Sequence, residues 1–358
     1  MQKPHKEGVL NMASQDVSLA KSFMTYTNAD AIKAGYPKSA MLPGNTLWKS
    51  QRIFKSNTSI LNFDPVSTNR SGSAITLNVT KADPIYGSLG GIALLKGTVS
   101  MSAAKDSIIV KCSNRGLSSG GAALSLENPD WLKIPVTLNL GNGNNSVLAG
   151  FGYAGWDIGI DIAWETRLLC GTGNDIIKGS GKEIGIFVGG TISTGDGDDI
   201  IEGRGIKSYG IGESDGSINM GKGNDRLTGI GGTESASNAS NYLNGWVDMG
   251  DGNDEITGTS FMFNGPYKIQ MGAGNDKFIA PLRHSNTPID FGSGIDKLYL
   301  PSGIYTVTDK GSGAFSLSSA AQTEQSTYGA ESISGLEWLV SARTGAEYAF
   351  KAGTLDIA

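Results

Sequence analysis

Seven short stretches of the sequence place an aspartate or asparagine two residues after a Gly-x-Gly turn. They are NLGNGNNSVLAG (139–150), LCGTGNDIIKG (169–179), STGDGDDIIEG (193–203), NMGKGNDRLTG (219–229), DMGDGNDEITG (248–258), QMGAGNDKFIA (270–280) and DFGSGIDKLYL (290–300). A carboxylate is a ligand for hard cations, and glycines at positive φ let main-chain carbonyls converge beside it. These residue types at this spacing are suited to an all-oxygen cation site.

The elements that must position these turns are short β-strands. An apolar residue precedes the first glycine and another follows two residues after the aspartate, as Met249 and Ile256 do in the fifth stretch. Alternation such as Val136, Leu138 and Leu140 predicts a strand with one buried face. One such unit cannot bury its apolar face alone, so the repeat predicts stacked coils of a solenoid. SMSAAKDSIIV (100–110) fits as an earlier, degenerate coil.

Stacking would place the aspartates of successive coils in a column. Strands in a sheet lie about 4.8 Å apart, and two carboxylates at that spacing repel by roughly 3–4 kcal/mol at an effective dielectric near 20. A divalent cation between coils would remove this repulsion. The alternative is a metal-free solenoid whose Asp-Gly turns are simply solvated.

The stretches GTGND, GDGDD, GKGND, GDGND and GAGND resemble the calcium-binding repeats of the repeats-in-toxin (RTX, hemolysin-type) family. The resemblance covers residues 139–300 and implies a parallel β-roll with up to about six Ca²⁺ ions. The ligands that it implies are the aspartates and the carbonyls of the turn glycines. The residues concerned are Asp175, Asp199, Asp225, Asp254, Asp276, Asp296, Gly171, Gly173, Gly195, Gly197, Gly221, Gly223, Gly250, Gly252, Gly272, Gly274, Gly292 and Gly294.

The sequence departs from the family pattern in two ways. The family repeats every nine residues, whereas the motif recurs here every 20–30 residues, which favours a long coil with one calcium turn. Asn145 replaces the aspartate of the first stretch and Ile295 replaces the asparagine of the last. The two end sites are therefore expected to be weak or absent.

Composition narrows the class of protein. The 358-residue chain contains 52 glycines and carries a net charge of −5. Residues 131–358 hold the acidic excess, which argues against nucleic acid and anionic membranes as partners. No apolar run is long enough for a transmembrane helix, and the N-terminus lacks the apolar core of a cleaved signal. Cys112 and Cys170 are expected to be buried free thiols.

The predicted fold is all-β, a right-handed parallel β-helix/β-roll solenoid with one GxGND calcium turn per coil and terminal caps. Residues 1–95 are assigned to an N-terminal cap or assembly region, with a helix or irregular cap over 17–35. Residues 96–300 form the calcium-binding solenoid. Residues 301–358 form a β-rich C-terminal cap, which is similar to the segments that carry a type I secretion signal after RTX arrays.

Other arrangements in the sequence could do chemistry. GESDG (212–216) has the letters of a nucleophile elbow, with His284 as the base that it would need. Asp198 and Asp199 could act as general acid and base on a polysaccharide. Arg167, Arg204 and Arg226 could face one groove. We interpret GESDG as a surface loop and the two aspartates as positions of the repeat. We interpret the three arginines as solvated surface charges. A flat ice-binding array is not favoured, because threonine is scarce at the outward turn positions.

The sequence therefore predicts a secreted, calcium-binding structural or cell-surface protein, part of a surface layer, sheath, matrix fibre or adhesin. It would be extracellular, exported without a cleaved N-terminal signal, and would fold on binding calcium outside the cell. Its expected partners are further copies of itself or cell-surface polysaccharide, with no nucleic acid and no membrane insertion. The alternative is a β-helix enzyme acting on polysaccharide or a secreted metabolite.

Overall fold

A computed structural model describes residues 105–112, 119–127, 136–152, 155–232, 241–259, 261–263, 267–279, 281–282, 286–319 and 329–358, with seven short strands before residue 105. The described residues contain strands and no helix. In chain order the first strands are β1 (Asp16–Leu19), β2 (Phe23–Met24), β3 (Arg52–Ile53), β4 (Ile60–Asn62), β5 (Ala74–Val79), β6 (Ile92–Leu94), β7 (Gly97–Ser100), β8 (Ser107–Cys112), β9 (Ser119–Leu126), β10 (Val136–Asn139), β11 (Ser146–Gly152), β12 (Trp156–Ile162), β13 (Arg167–Leu169), β14 (Ile176–Gly181), β15 (Ile184–Val188) and β16 (Thr191–Asp196). They continue with β17 (Ile200–Gly205), β18 (Ile211–Lys222), β19 (Arg226–Ile230), β20 (Tyr242–Asp248), β21 (Glu255–Gly258), β22 (Met262–Phe263), β23 (Ile269–Gln270), β24 (Lys277–Ile279), β25 (Ile289–Asp290), β26 (Lys297–Leu300), β27 (Gly303–Gly311), β28 (Ala314–Ser319), β29 (Gly329–Ser334), β30 (Trp338–Ser341), β31 (Glu347–Ala349) and β32 (Gly353–Ile357).

The strands stack into three parallel ladders. Ladder 1 follows the glycine turns and runs β1, β5, β8, β11, β14, β17, β19, β21, β24, β26 and β30. Ladder 2 runs β3, β2, β6, β9, β12, β15, the first part of β18, the first part of β20 and β22. Ladder 3 precedes the turns and runs β4, β7, β10, β13, β16, the second parts of β18 and β20, β23, β25 and β29. Each coil therefore passes through ladder 3, a glycine turn, ladder 1 and ladder 2, which is a parallel β-solenoid.

The core lies between the three ladders and is filled by the alternating apolar residues of the motif. Met249 before the turn and Ile256 after it are both fully buried, as predicted. Ladder 1 stacks like on like in register, as in the pairing of Leu227 with Ile256 and of Ile256 with Phe278. The Phe278 ring meets Phe261 edge to face, with centroids 5.7 Å apart. Coil-on-coil stacking thus buries what one coil would expose.

Parallel pairing extends beyond both ends of the segment 96–300. At the N-terminal side, β1 pairs with β5 and β5 with β8, so part of the segment 17–35 is strand and the helix expected there is wrong for Val17–Leu19 and Phe23–Met24. The rest of 17–35 lies outside the described residues. The degenerate copy is in register, because Ser107 pairs with Ser146 and Ile108 with Val147.

Antiparallel strands cover the last coil. The strands β29 and β30 add a further parallel layer after residue 300. Antiparallel β28 then pairs with β29, and antiparallel β31 pairs with β30. Such pairing covers the parallel edges of β29 and β30, on which another coil could otherwise stack. Within the described residues, no helix is long and apolar enough to span a membrane.

Candidate metal centre

The turn glycines are required by the stacking of the coils. All the predicted glycines adopt positive φ, between 84° and 151°. A Cβ atom on Gly195 would lie 1.6 Å from the carbonyl oxygen of Gly171, and one on Gly197 would lie 2.2 Å from that of Gly173. The same contacts recur in each later coil. Carbonyl oxygens of one turn therefore point at the backbone of the next turn, where only glycine leaves room.

The predicted aspartates form a single buried column, which is called the aspartate column below. Each has at most 1% of its surface exposed. The main-chain N–H of Asp175 donates to Oδ1 of Asp199 at 2.7 Å, and the N–H of Asp199 donates to Oδ1 of Asp225 at 2.8 Å. The same bond links Asp225 to Asp254, Asp254 to Asp276 and Asp276 to Asp296. In each coil, Oδ1 of the aspartate thus accepts a hydrogen bond from the main chain of the preceding coil.

The column has two ends that differ from its middle. At one end, Asn145 Oδ1 accepts the N–H of Asp106, which belongs to the degenerate coil. At the other end, the N–H of Asp296 donates to Oε2 of Glu337 at 2.8 Å. Sequence reasoning missed Glu337, because no Gly-x-Gly precedes it. Only the pairing of β26 with β30 brings it to the end of the column.

The second oxygen of every aspartate in the column is the unexplained feature. Oδ2 of each is buried and has no hydrogen-bond partner among the described residues; the residues are Asp175, Asp199, Asp225, Asp254, Asp276 and Asp296. A buried polar atom without a partner costs on the order of 1–3 kcal/mol, more if it is charged. Six such atoms in one line require either protonated carboxyl groups or a cation beside them.

Asn145 shows what surrounds the corresponding position. Its Nδ2 stands where the other coils have Oδ2, and it donates to the carbonyl oxygens of Gly141 at 3.1 Å and Cys170 at 3.2 Å. A carboxylate oxygen in the same place would face two carbonyl oxygens with no hydrogen between them. Such a group of oxygens is stable only with a proton or a cation among them.

The aspartate column therefore fits a hard cation better than it fits an empty space. Its donor atoms are all oxygens, as Ca²⁺ prefers. No group of three or more His, Cys, Asp or Glu side chains suited to a metal occurs in the described part of the chain. A cation held here would depend on one or two aspartates of the column, with main-chain carbonyls of the glycine turns completing its shell.

Without a cation, the column favours protonated aspartates. Burial, together with the charges of Asp199 and Asp254, raises the pKa of Asp225 to about 8. Burial likewise raises the pKa of Asp175, Asp254 and Asp276 to about 7, and that of Asp199 and Asp296 to about 6. These carboxyl groups would therefore change charge near neutral pH.

Metal-free protein is expected to lose stability as the pH rises from about 5 to about 8.5. The folded-state pKa values of about 6 to 8 lie above the ordinary value of 3.8, so the folded state holds protons that the unfolded chain has released. This contribution is fully present below the ordinary pKa and is lost as the pH passes through the folded-state values. Thermal melts followed by circular dichroism after chelation would measure it. A melting temperature that instead rose over this range would contradict the raised pKa values.

A second ladder of side chains runs along the exposed surface of the same turns. The N–H of Asn253 donates to Oδ1 of Asn224 at 3.0 Å, and the N–H of Asn275 donates to Oδ1 of Asn253 at 2.9 Å. It begins at Asn144 and ends at the N–H of Ile295. The recurring asparagine of the motif was the signal for this ladder, which sequence reasoning left without a role. It fixes the turns in register from outside while the aspartates do so from inside.

The other candidate sites do not assemble. GESDG lies inside the long strand β18 with no helix after it among the described residues, so it is not a nucleophile elbow, and His284 lies outside the described residues. Asp199 is buried in the column, whereas the adjacent Asp198 is exposed and accepts from Asn224, so the two do not form an acid–base pair.

The three arginines do not share a groove, because Arg204 and Arg226 lie on ladder 1 and Arg167 on ladder 3. Arg226 forms an ion pair with Glu255, with 3.1 Å between Nε and Oε1. Cys170 is a buried free thiol, as expected, and burial raises its pKa. The side chain of Cys112 lies outside the described residues.

No protein-family model, curated protein or solved structure matches the chain. The resemblance to RTX repeats therefore rests on the turn motifs alone.

Proposed function

We propose that this protein is an extracellular, calcium-stabilised structural solenoid of the RTX type, with right-handed coils and calcium ions along one corner. The single observation that carries the proposal is the line of six buried aspartate Oδ2 atoms without partners. Calcium bound among them would offset both their mutual repulsion and the cost of their burial. The aspartates orient their Oδ1 atoms by accepting N–H groups, and the glycine turns exclude side chains from the space between coils.

Export before folding follows from this chemistry. Calcium binding requires deprotonated aspartates, which the raised pKa values disfavour. The fold is therefore expected to have low stability where calcium is scarce and high stability where calcium is abundant. A chain of this kind would pass through an export channel unfolded and fold outside the cell. The antiparallel strands that cover the last coil favour contact with neighbours through the sides of the solenoid.

Assembly in calcium is the experiment that tests the structural role. Static light scattering and electron microscopy of the whole protein, with and without 5 mM calcium, should show particles larger than a monomer only with calcium. Magnesium at the same concentration serves as the control, because it keeps its own waters and demands near-octahedral geometry. If the protein stayed monomeric in both ions but its melting temperature responded to calcium, the assembly role would be refuted. The metal site would still be supported.

A further inference from the structure

A cleft lies at a different corner of the solenoid from the glycine turns. It has a volume of about 930 Å³ and lies where ladder 2 turns into ladder 3. Three successive coils contribute the corner residues 164–166, 189–190 and 215–216. The middle coil has only Gly189 and Gly190 there, and both are buried. The cleft exists because this coil has no side chain to place between those of the coils on either side.

Two exposed tryptophans flank the cleft. Trp164 is 59% exposed and Trp246 is 48% exposed, an unusual state for the largest apolar side chain. The register from Arg167 through Thr191 and Ser217 to Trp246 spans three steps of ladder 3. At about 4.8 Å for each step, the backbone at Arg167 and the backbone at Trp246 are roughly 14 Å apart along the solenoid. Because Trp164 lies three residues before Arg167, the two tryptophans belong to different coils of one cleft, as an extended ligand that runs across the coils would need.

Two neighbouring residues, Tyr267 and Asp215, hold the Trp246 ring in place. Tyr267 meets it edge to face, with ring centroids 6.1 Å apart. The Tyr267 hydroxyl donates to Oδ1 of Asp215 at 2.5 Å. Asp215 itself has φ of 58°, a conformation that non-glycine residues adopt rarely and that often marks a functional position. A ring fixed in this way loses little freedom when a ligand stacks on it.

The floor of the cleft is polar. Thr137, Arg167, Thr191 and Ser217 occupy successive positions of ladder 3, and Ser217 Oγ donates to Thr191 Oγ1 at 3.0 Å. Arg167 contributes one positive charge, while Glu165 and Asp215 contribute two negative charges to the lining. The cleft thus offers hydroxyl, guanidinium and carboxylate groups with a slight negative excess. Such a lining disfavours polyanions.

We propose that this cleft binds a chain of neutral sugars. A pyranose ring has an apolar face of C–H groups, which stacks on tryptophan, and a rim of hydroxyl groups, which both donate and accept hydrogen bonds. The two tryptophans supply the stacking faces, and the floor between them supplies the polar partners. The site is independent of the calcium proposal, since it lies at another corner and uses no residue of the aspartate column.

Isothermal titration calorimetry of the whole protein in 1 mM calcium tests this inference. The probes are cellohexaose, maltohexaose and mannohexaose as neutral chains, hexagalacturonate as an acidic chain, and oligothymidine as a single-stranded nucleic acid. At least one neutral hexasaccharide is expected to bind, and its monosaccharide is expected to bind at least tenfold more weakly. Trp164→Ala and Trp246→Ala should each weaken binding by tenfold or more.

Matched variants separate recognition from folding. Ile206→Ala removes another exposed apolar side chain, 54% exposed and outside the cleft lining, and should leave binding unchanged. Tyr267→Phe keeps the ring beside Trp246 but removes the hydrogen bond to Asp215, and should weaken binding by a smaller factor of about three. All variants should melt within a few degrees of the parent protein, since the altered groups lie at the surface.

Several results would overturn the inference. They are the absence of binding to every neutral chain, tighter binding of hexagalacturonate or oligothymidine, and unchanged affinity in both tryptophan variants. Release of shorter oligosaccharides during the titration would show that the protein hydrolyses the sugar chain, and a hydrolytic role would then take the place of the proposed binding role. Loss of calcium-induced stabilisation with sugar binding intact would refute the metal proposal alone.

Discussion

Calcium in millimolar excess is expected to raise the melting temperature of metal-free protein by at least about 10 °C at pH 7.5. A ligand present at one hundred times its dissociation constant stabilises a fold by about 2.7 kcal/mol per site, and each kcal/mol shifts the melting temperature by roughly 2–4 °C in a large domain. The column offers several sites, so their contributions add. The physical source is the removal of repulsion among buried aspartates that have no donor for Oδ2.

Thermal melts by circular dichroism, with calcium, magnesium or chelator, measure this effect. Magnesium should give less than half the shift, because its small, rigid shell does not suit a site made of main-chain carbonyls. The calcium effect should also grow between pH 6 and pH 8.5, opposite to the trend of the metal-free protein, because binding competes with protonation of the aspartates. Equal melting temperatures in calcium and in chelator would show that the column is a ladder of neutral acids.

Exchanging the amide and the carboxylate within the column should move stability in opposite directions. Asp225→Asn copies the arrangement at Asn145, where Oδ1 accepts an N–H and Nδ2 donates to two carbonyls. At pH 8.5 without calcium, this variant should be more stable than the parent protein by about 1–3 kcal/mol, because a buried charge becomes a satisfied amide. With calcium it should gain less than the parent does, since one ligand is lost.

The reverse variant, Asn145→Asp, should behave in the opposite way. It removes the two hydrogen bonds from Nδ2 to Gly141 and Cys170 and adds a seventh carboxylate to the column. The metal-free variant should therefore be less stable by about 1–3 kcal/mol, and calcium should restore the loss. Both melts are made by circular dichroism with and without calcium.

Asp251→Asn provides the matched control for both exchanges. Asp251 belongs to the same turn as Asp254 but its side chain is exposed, so neutralising it keeps every carboxylate of the column and removes only one nearby charge that helps to raise the pKa of Asp254. It should leave the calcium shift within a degree or two of that of the parent. If Asp225→Asn and Asp251→Asn had the same effect, charge alone, and not a position in the column, would explain the response.

The positions of the turns were predictable because they depend on local chemistry. Glycines that must adopt positive φ, an aspartate two residues after the second glycine, and the apolar residues on either side recur with fixed spacing within each coil. Met249 and Ile256 were therefore placed correctly from sequence and are buried as expected, whereas the burial of Asp254 was not predicted. The degenerate coil at Asp106 was found in the same way, since its apolar register survives without the glycines.

The sequence could not show that Oδ1 of each aspartate accepts a main-chain N–H while Oδ2 is left without a donor. Repulsion within a column was expected, but the N–H that satisfies each Oδ1 comes from a residue 20–30 positions away. The length of the intervening segments varies, so sequence spacing does not tell which main-chain group meets which carboxylate. The role of Asn145 was hidden for the same reason. From sequence, the replacement of aspartate by asparagine predicted a weak metal site. The structure shows in addition that the Asn145 amide donates hydrogen bonds to two carbonyl oxygens.

The sequence by itself determined the repeating unit, the all-β parallel class and the residues that line the column, because all of these depend on spacing within one coil. Only the tertiary structure decided what lies across coils: Glu337 at the end of the column, the outer asparagine ladder, the separation of Asp198 from Asp199, and the cleft between Trp164 and Trp246. The physical reason is that stacking in a solenoid joins residues from different coils. Segments of unequal length separate those coils, so only the folded chain shows which residues become neighbours.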